Sequence, residues 1–184
     1  MASYRVPEVV RMALPLILGT PLAGQQPAPP PPVEMRALAF LEGRWEGTGR
    51  MGTGERAAEA RATELVRFRA DTGVLVIEGK GVARGPDGQD IVVHQAFGVL
   101  WYDRAAARYR LRTFRRGGES MEPDVTVGEQ QLTWEFTDPR AGRIRFEIAV
   151  SAAQGWQERG AWSRDGTTWT PFFEMQLTRV GPAE

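Results

Sequence analysis

The chain has no cysteine, a single histidine and a single lysine among 184 residues. Without cysteine there are no disulfides, thiolate metal sites or cysteine nucleophiles. One histidine, His94, excludes a multi-histidine metal centre. Charge of neither sign is in excess, since 23 basic residues face 23 acidic ones. That balance leaves no basic footprint for a phosphate backbone, so no nucleic-acid partner is expected. No apolar run reaches the roughly 18 residues of a membrane span, so no integral membrane association is expected. No serine stands in a nucleophile elbow. The glycine-rich "GRWEGTGRMGTGE" neither follows a strand nor opens a helix, which disqualifies it as a phosphate cradle.

What is present begins with an unusual N-terminus. Arg5 and Arg11 flank the start of a short apolar run, "MALPLILGTPLAG", that ends in small residues. This is the pattern of a secretory signal peptide over 1–24, and it predicts export to the periplasm or medium. "QQPAPPPP" follows and predicts an extended, polyproline-II spacer over 25–33, unable to pack a core. The folded domain is then expected over 34–181.

Met35, Leu38 and Leu41 lie at helical spacing before Gly43, which predicts one helix of two to three turns. Beyond it the period becomes two. Runs with strand character occupy 44–51, 58–69, 73–83, 90–102, 107–116, 120–128, 131–137, 143–151, 155–163 and 170–180. Turn residues separate them, as in "RGPDGQD", "RRGGE" and "TDPRAG". Ten short strands with tight connections predict an all-β, antiparallel up-and-down meander closed into a barrel. Arginine-bearing faces at Arg143 and Arg145, and at Arg108, Arg110 and Arg112, read as a solvated outer wall with cross-strand pairs. Strand 90–102 is apolar on both faces, so a homodimer is one expectation for it.

Polar residues on otherwise apolar faces are the candidates for function. Glu78 follows Val74 and Val76, His94 lies between Val92 and Ala96, and Glu158 lies between Trp156 and Trp162. A buried carboxylate needs a partner or water, and such groups orient ligands or carry protons. Trp134, Trp156 and Phe173 are candidates for an apolar wall around them.

"SRDGTTW", Ser163–Trp169, is one residue short of the Asp-box S-x-D-x-G-x-T-W of carbohydrate-active propellers. Here it occurs once, between the last two strands. It predicts a turn whose Asp165 accepts backbone N–H groups, with Trp169 as its anchor.

"LAFLEGRWEGTG" (38–49), with Gly43, Trp45, Gly47 and Gly49, resembles the opening of lipocalin-like, calycin-type bacterial barrels, including nitrobindin-type haem barrels. "VLVIEGKG", "HQAFGVLWYD", "YRLRTF" and "WSRDGTTWTPFFEMQLTRV" are similar to exported bacterial lipocalin-like proteins of unknown function. The resemblance implies a barrel of about ten strands that holds a small, largely apolar molecule. Nitrobindin-type barrels hold haem through a histidine near the last strand. Glu174 and Met175 stand in that region here, so haem is disfavoured and no cofactor is expected. Ligand contacts are expected from Glu78, His94, Trp134, Trp156, Glu158 and Phe173. A barrel enzyme of the hydrolase or isomerase type is the alternative, as is a filled, dimerising barrel.

Overall fold

A computed structural model of the chain describes residues 32–54, 57–69 and 73–183. The expected signal peptide lies outside these residues, as does the expected spacer apart from Pro32 and Val33. Val33–Leu41 forms a 3-10 helix. Its buried residues include Met35, Leu38 and Leu41, a repeat of three that matches the 3.0-residue turn of this helix. The helix ends where Glu42 turns extended and Gly43 enters the first strand.

Eleven antiparallel strands follow: β1 Gly43–Met51, β2 Ala58–Arg69, β3 Val74–Arg84, β4 Asp90–Asp103, β5 Arg108–Arg115, β6 Ser120–Met121, β7 Asp124–Gly128, β8 Gln131–Asp138, β9 Gly142–Ser151, β10 Gly155–Ser163 and β11 Thr170–Gly181. They form one sheet in the order β6-β5-β4-β3-β2-β1-β11-β10-β9-β8-β7. The first and last strands pair with each other, so the meander is joined at its chain ends. It is open in its middle instead. The sheet curls through 291° and stops, with β6 and β7 as its two edges.

This corrects the expectation of a closed ten-stranded barrel. The run 120–128 divides at Glu122–Pro123, and proline has no N–H to give to a ladder. A slot of about 370 Å³ separates the edges, lined by Arg108–Leu111 and Glu122–Val125. Tyr109 spans part of the break by donating its hydroxyl hydrogen to the Glu34 carbonyl, 2.7 Å away.

The helix plugs one end of the curl. Leu38 and Leu41 are fully buried there with Val66, Leu75 and Leu100. The Trp45 indole N–H donates to the Leu41 carbonyl at 2.9 Å, and the Arg179 guanidinium sits 4.5 Å over the Trp45 ring. Arg179 also donates to the Phe40 carbonyl at 2.8 Å. Arginines elsewhere face outward as cross-strand partners: Arg143 and Arg145 bind Glu135, and Arg112 lies 3.5 Å from Glu122. β4 keeps three large apolar side chains exposed: Phe97 on the outer face opposite Glu78, and Ile91 and Val93 at or beyond the register shift at Gly81–Val82, where Ile91 takes the side of Ala83.

The "SRDGTTW" segment is a tight Asp165-centred turn between β10 and β11. Asp165 accepts the Thr168 and Thr167 N–H groups at 2.7 and 2.8 Å, and these hold its carboxyl well below the usual carboxylate range. Ser163, fully buried, accepts the Gly166 N–H at 2.9 Å. Trp169 packs outward, with the Arg145 guanidinium 3.9 Å over its ring.

Leu38→Ala should cost about 2–4 kcal/mol in urea unfolding, because the plug cannot collapse around the missing side chain. Ile91→Ala, at the exposed end of β4, should change stability by less than about 0.5 kcal/mol.

Candidate functional site

Strand alternation divides the interior into two regions. Near the helix, inward residues such as Trp45, Leu75, Leu100, Leu132, Trp156 and Leu177 are buried and make a solid core. Toward the other end, the inward residues Ile77, Trp134, Phe136, Phe146 and Phe173 are only half-buried. These half-covered side chains mark the less filled end of the curl, a cup above the core.

Two carboxyl groups occupy the floor of that cup. Glu158, on β10, is 8 % exposed and lies in register with Met175 of β11 and Ile148 of β9. The Trp156 indole N–H donates to its Oε2 at 3.4 Å, and the Trp134 side chain donates to it as well. Glu64, on β2, pairs in register with Trp45 on one side and Gly79 on the other. A Cβ at position 79 would lie 2.6 Å from Glu64 Oε1, so glycine there leaves room for the carboxyl group. Gly160 serves the aromatic wall likewise, since a Cβ there would lie 2.8 Å from the Phe146 ring.

Burial pushes the Glu64 carboxyl up to about 8, and the charge of Glu158 adds to the effect. Burial also raises Glu158, to about 7, against the lowering effect of the indole donors Trp156 and Trp134. The pair therefore retains protons at neutral pH that exposed glutamates would have released.

The wall is aromatic. Trp134 and Phe146 stack with centroids 4.1 Å apart and planes at 6°. Phe136 stacks on Trp134 at 5.9 Å, and Phe173 meets Phe146 edge-on at 5.7 Å. His94 stands at the rim on β4, opposite Gly81. Partial burial and the positive charge of Arg115 lower its pKa, which keeps the imidazole neutral.

Of the residues expected to touch a ligand, Glu158, Trp134 and Phe173 converge on the cup, and His94 lies at its rim. Trp156 is 2 % exposed and belongs to the core, meeting Trp45 edge-on at 5.5 Å; it reaches the cup only through its N–H. Glu78 stands apart from them. It shares the outer face with Val74 and Val76, while Leu75, Ile77 and Gly79 face in, and it binds Arg67 at 2.6 Å on that outer face. Val76 is 7 % exposed although it points outward, which is why its row reads as interior in the sequence. Glu64 was missed. Its neighbours of the same parity, Ala60, Ala62, Val66 and Phe68, carry the same signal that marks Glu158.

The donor set does not fit haem: His94 is at the rim, and Met175 is buried beside Glu158 on the cup floor. No cluster of three metal-ligating side chains exists among the described residues. No helix among them is long and apolar enough to cross a membrane.

No family model matches the chain, and no curated protein matches it in sequence. Among solved structures it is similar to Rv2717c from M. tuberculosis, with a TM-score of 0.56 and 16% identity over 81% of this chain and 98% of that one. At that identity the likeness concerns the fold: a curled, calycin-like antiparallel sheet. It does not reach to a particular lipocalin-like or nitrobindin-type family.

The carboxyl pair gives a pH dependence of definite sign. Below about pH 4.5 the folded and unfolded chains both hold these protons. As pH rises from there to about 8, the unfolded chain releases them and the folded chain retains them, so stability falls with pH. Glu64→Gln and Glu158→Gln should each flatten this slope between pH 5 and 9. At pH 9 each should be more stable than the parent by on the order of 1–3 kcal/mol. Thermal unfolding across that range checks both variants.

Proposed function

We propose that the protein is a binding module that holds a small, largely apolar molecule in the open end of the curled sheet. The observation that carries this reading is the contrast within the interior. One half is solid, while the other exposes a stacked aromatic wall over one buried and one half-buried carboxyl. A wall of exposed aromatic surface with a few convergent polar groups is the usual composition of a small-molecule site. Trp134, Phe146 and Phe173 supply the apolar contact in this reading, Glu158 and Glu64 orient the ligand, and His94 stands at the entrance. Export of the protein belongs to the same proposal and rests on the N-terminal sequence.

A second reading is favoured by one observation. Two carboxyls pushed to about 8 and about 7 lie in the range where a general acid and base work at neutral pH. A hydrolase or isomerase would use Glu64 and Glu158 for this, since Glu78 faces outward and cannot act with His94. A homodimer, if it forms, would use the exposed outer face of β4 at Phe97.

The neutral, environment-sensitive fluorophore prodan tests the binding reading. Saturable, one-to-one binding is expected, with a Kd on the order of 1–50 µM for so small a ligand. Trp134→Ala and Phe173→Ala should each weaken it at least fivefold, by about 1 kcal/mol or more. Linear, non-saturating fluorescence would show that the cup holds no such ligand. Turnover of nitrophenyl esters or glycosides, lost in both Glu64→Gln and Glu158→Gln, would favour the enzyme.

A further inference from the structure

We propose that the cup selects organic cations, its ligand being an amphipathic amine whose ammonium group sits between Glu64 and Glu158 and whose apolar body lies against Trp134, Phe146 and Phe173. The inference rests on the cup being a binding site and adds the chemical class of its occupant.

The first ground is charge. The chain has as many basic as acidic residues, and nearly all the basic ones are arginine. Yet the ion pairs among the described residues lie on the outer face or the sheet ends: Arg67 with Glu78, Arg110 with Asp103, Arg61 with Asp90, Arg143 and Arg145 with Glu135. None reaches Glu64 or Glu158. The nearest charge acting on Glu64 is Glu158, which is of the same sign.

The inward rows show why. β1 presents Trp45, Gly47 and Gly49 to this space, and β3 presents Gly79 and Gly81. β9 and β11 present Phe146, Ile148, Phe173 and Met175. Of the other charged groups on the inward rows, Arg115 shares the cross-strand row of Glu64, with Gly79 and Ala96 between them, and acts on His94 nearer the rim, while Arg179 is at the plugged end over Trp45. Among the described residues neither acid is joined to a cation in an ion pair, in a protein that supplies arginine almost everywhere else. Two acids so placed cost stability unless something of opposite charge joins them.

The second ground is hydrogen bonding. Glu158 accepts from the two indoles, whereas the half-buried Glu64 carboxyl has no hydrogen-bond partner among the described residues. An ammonium group carries three N–H donors and no acceptor, which complements two carboxylates with free lone pairs. A neutral alcohol offers one donor, and a carboxylate offers none and repels.

The third ground is the wall. The ring faces of Trp134, Phe146 and Phe173 are electron-rich, and a cation is drawn to such surfaces when it is shielded from water. The same rings bury the apolar body of the ligand. Carboxylates below and aromatic rings beside form the arrangement that holds an organic ammonium and not a hydrated metal ion, which would need more oxygen ligands than these two residues provide.

Binding an ammonium ion favours the ionised carboxylates, so it expels protons that the empty cup retains. Affinity for an amine must therefore rise with pH across the titration of the pair.

Phenylbutylamine, phenylbutanol and phenylbutyrate share one apolar body and differ in head group. They are titrated calorimetrically into the full-length wild-type protein at pH 5.5 and 8.5. At pH 8.5 the amine is expected to bind at least tenfold tighter than the alcohol, and the carboxylate weakest of the three. The amine's advantage should shrink to less than about threefold at pH 5.5, and in buffers of different ionisation enthalpy its binding at pH 7.5 should show proton release. Glu64→Gln and Glu158→Gln should each weaken the amine at least fivefold, and the alcohol by less. If the alcohol or the carboxylate binds as well as the amine at pH 8.5, the cup is a binding site but the cation assignment is overturned. If none of the three binds, both readings fail together.

Discussion

The Trp156 side chain ties the two halves of the interior together. Its ring meets Trp45 edge-on in the solid core, and its N–H points up to Glu158 on the floor of the cup. An indole is suited to this position because it is apolar on most of its surface and has a single donor. Burying the ring fixes the N–H, and the N–H in turn makes it tolerable for a carboxyl group to be 8 % exposed among apolar side chains. Below this residue the packing is that of an ordinary core. Above it, aromatic surface is left half-covered.

That division follows from the helix. A 3-10 helix of nine residues buries one row of side chains, and here the row fills only one end of the curl. Trp45, held by the Leu41 carbonyl and covered by Arg179, fills the remaining space beneath it. With the plug at one end, no segment among the described residues covers the other, and the glycines at 79 and 160 leave space for the Glu64 carboxyl and the Phe146 ring. The outer wall carries the solvated charge, much of it in cross-strand arginine–glutamate pairs such as those at Glu135. These exposed pairs contribute little stability individually. They do engage many of the arginines on the outside, and among the described residues no ion pair reaches the two interior acids.

Much of the architecture was legible in the residues. Period-two runs located the strands to within a residue or two, and "RDGTT" marked a turn that Asp165 does close with backbone N–H groups. The break between β6 and β7 was not legible. Pro123 forbids a ladder bond at one position, but whether neighbouring strands close around a proline depends on the accumulated curl of the sheet. The site was half legible. Glu158 stood out because Trp156 and Trp162 flank it at period two. Glu64 has the same kind of surroundings but is flanked by alanine and valine, and its importance arises only when β2 and β10 are brought across the curl. Glu78 shows the limit of parity alone. Val74 and Val76 look like an inward row, yet sheet neighbours cover them from outside, and Arg67 takes up the carboxylate.

Both the core–cup division and the selectivity inferred from it depend on Glu64 and Glu158 lying together in a water-poor, cation-free floor. Carbon-13 NMR titration of the side-chain carboxyl carbons, with Glu64→Gln and Glu158→Gln for assignment, observes this directly. Two glutamates should titrate near 8 and near 7, and removal of Glu158 should lower the pKa of Glu64. Titration of both near the ordinary value of 4.5, each indifferent to loss of the other, would show that the two carboxyls are solvated or paired with arginine and that no such floor exists.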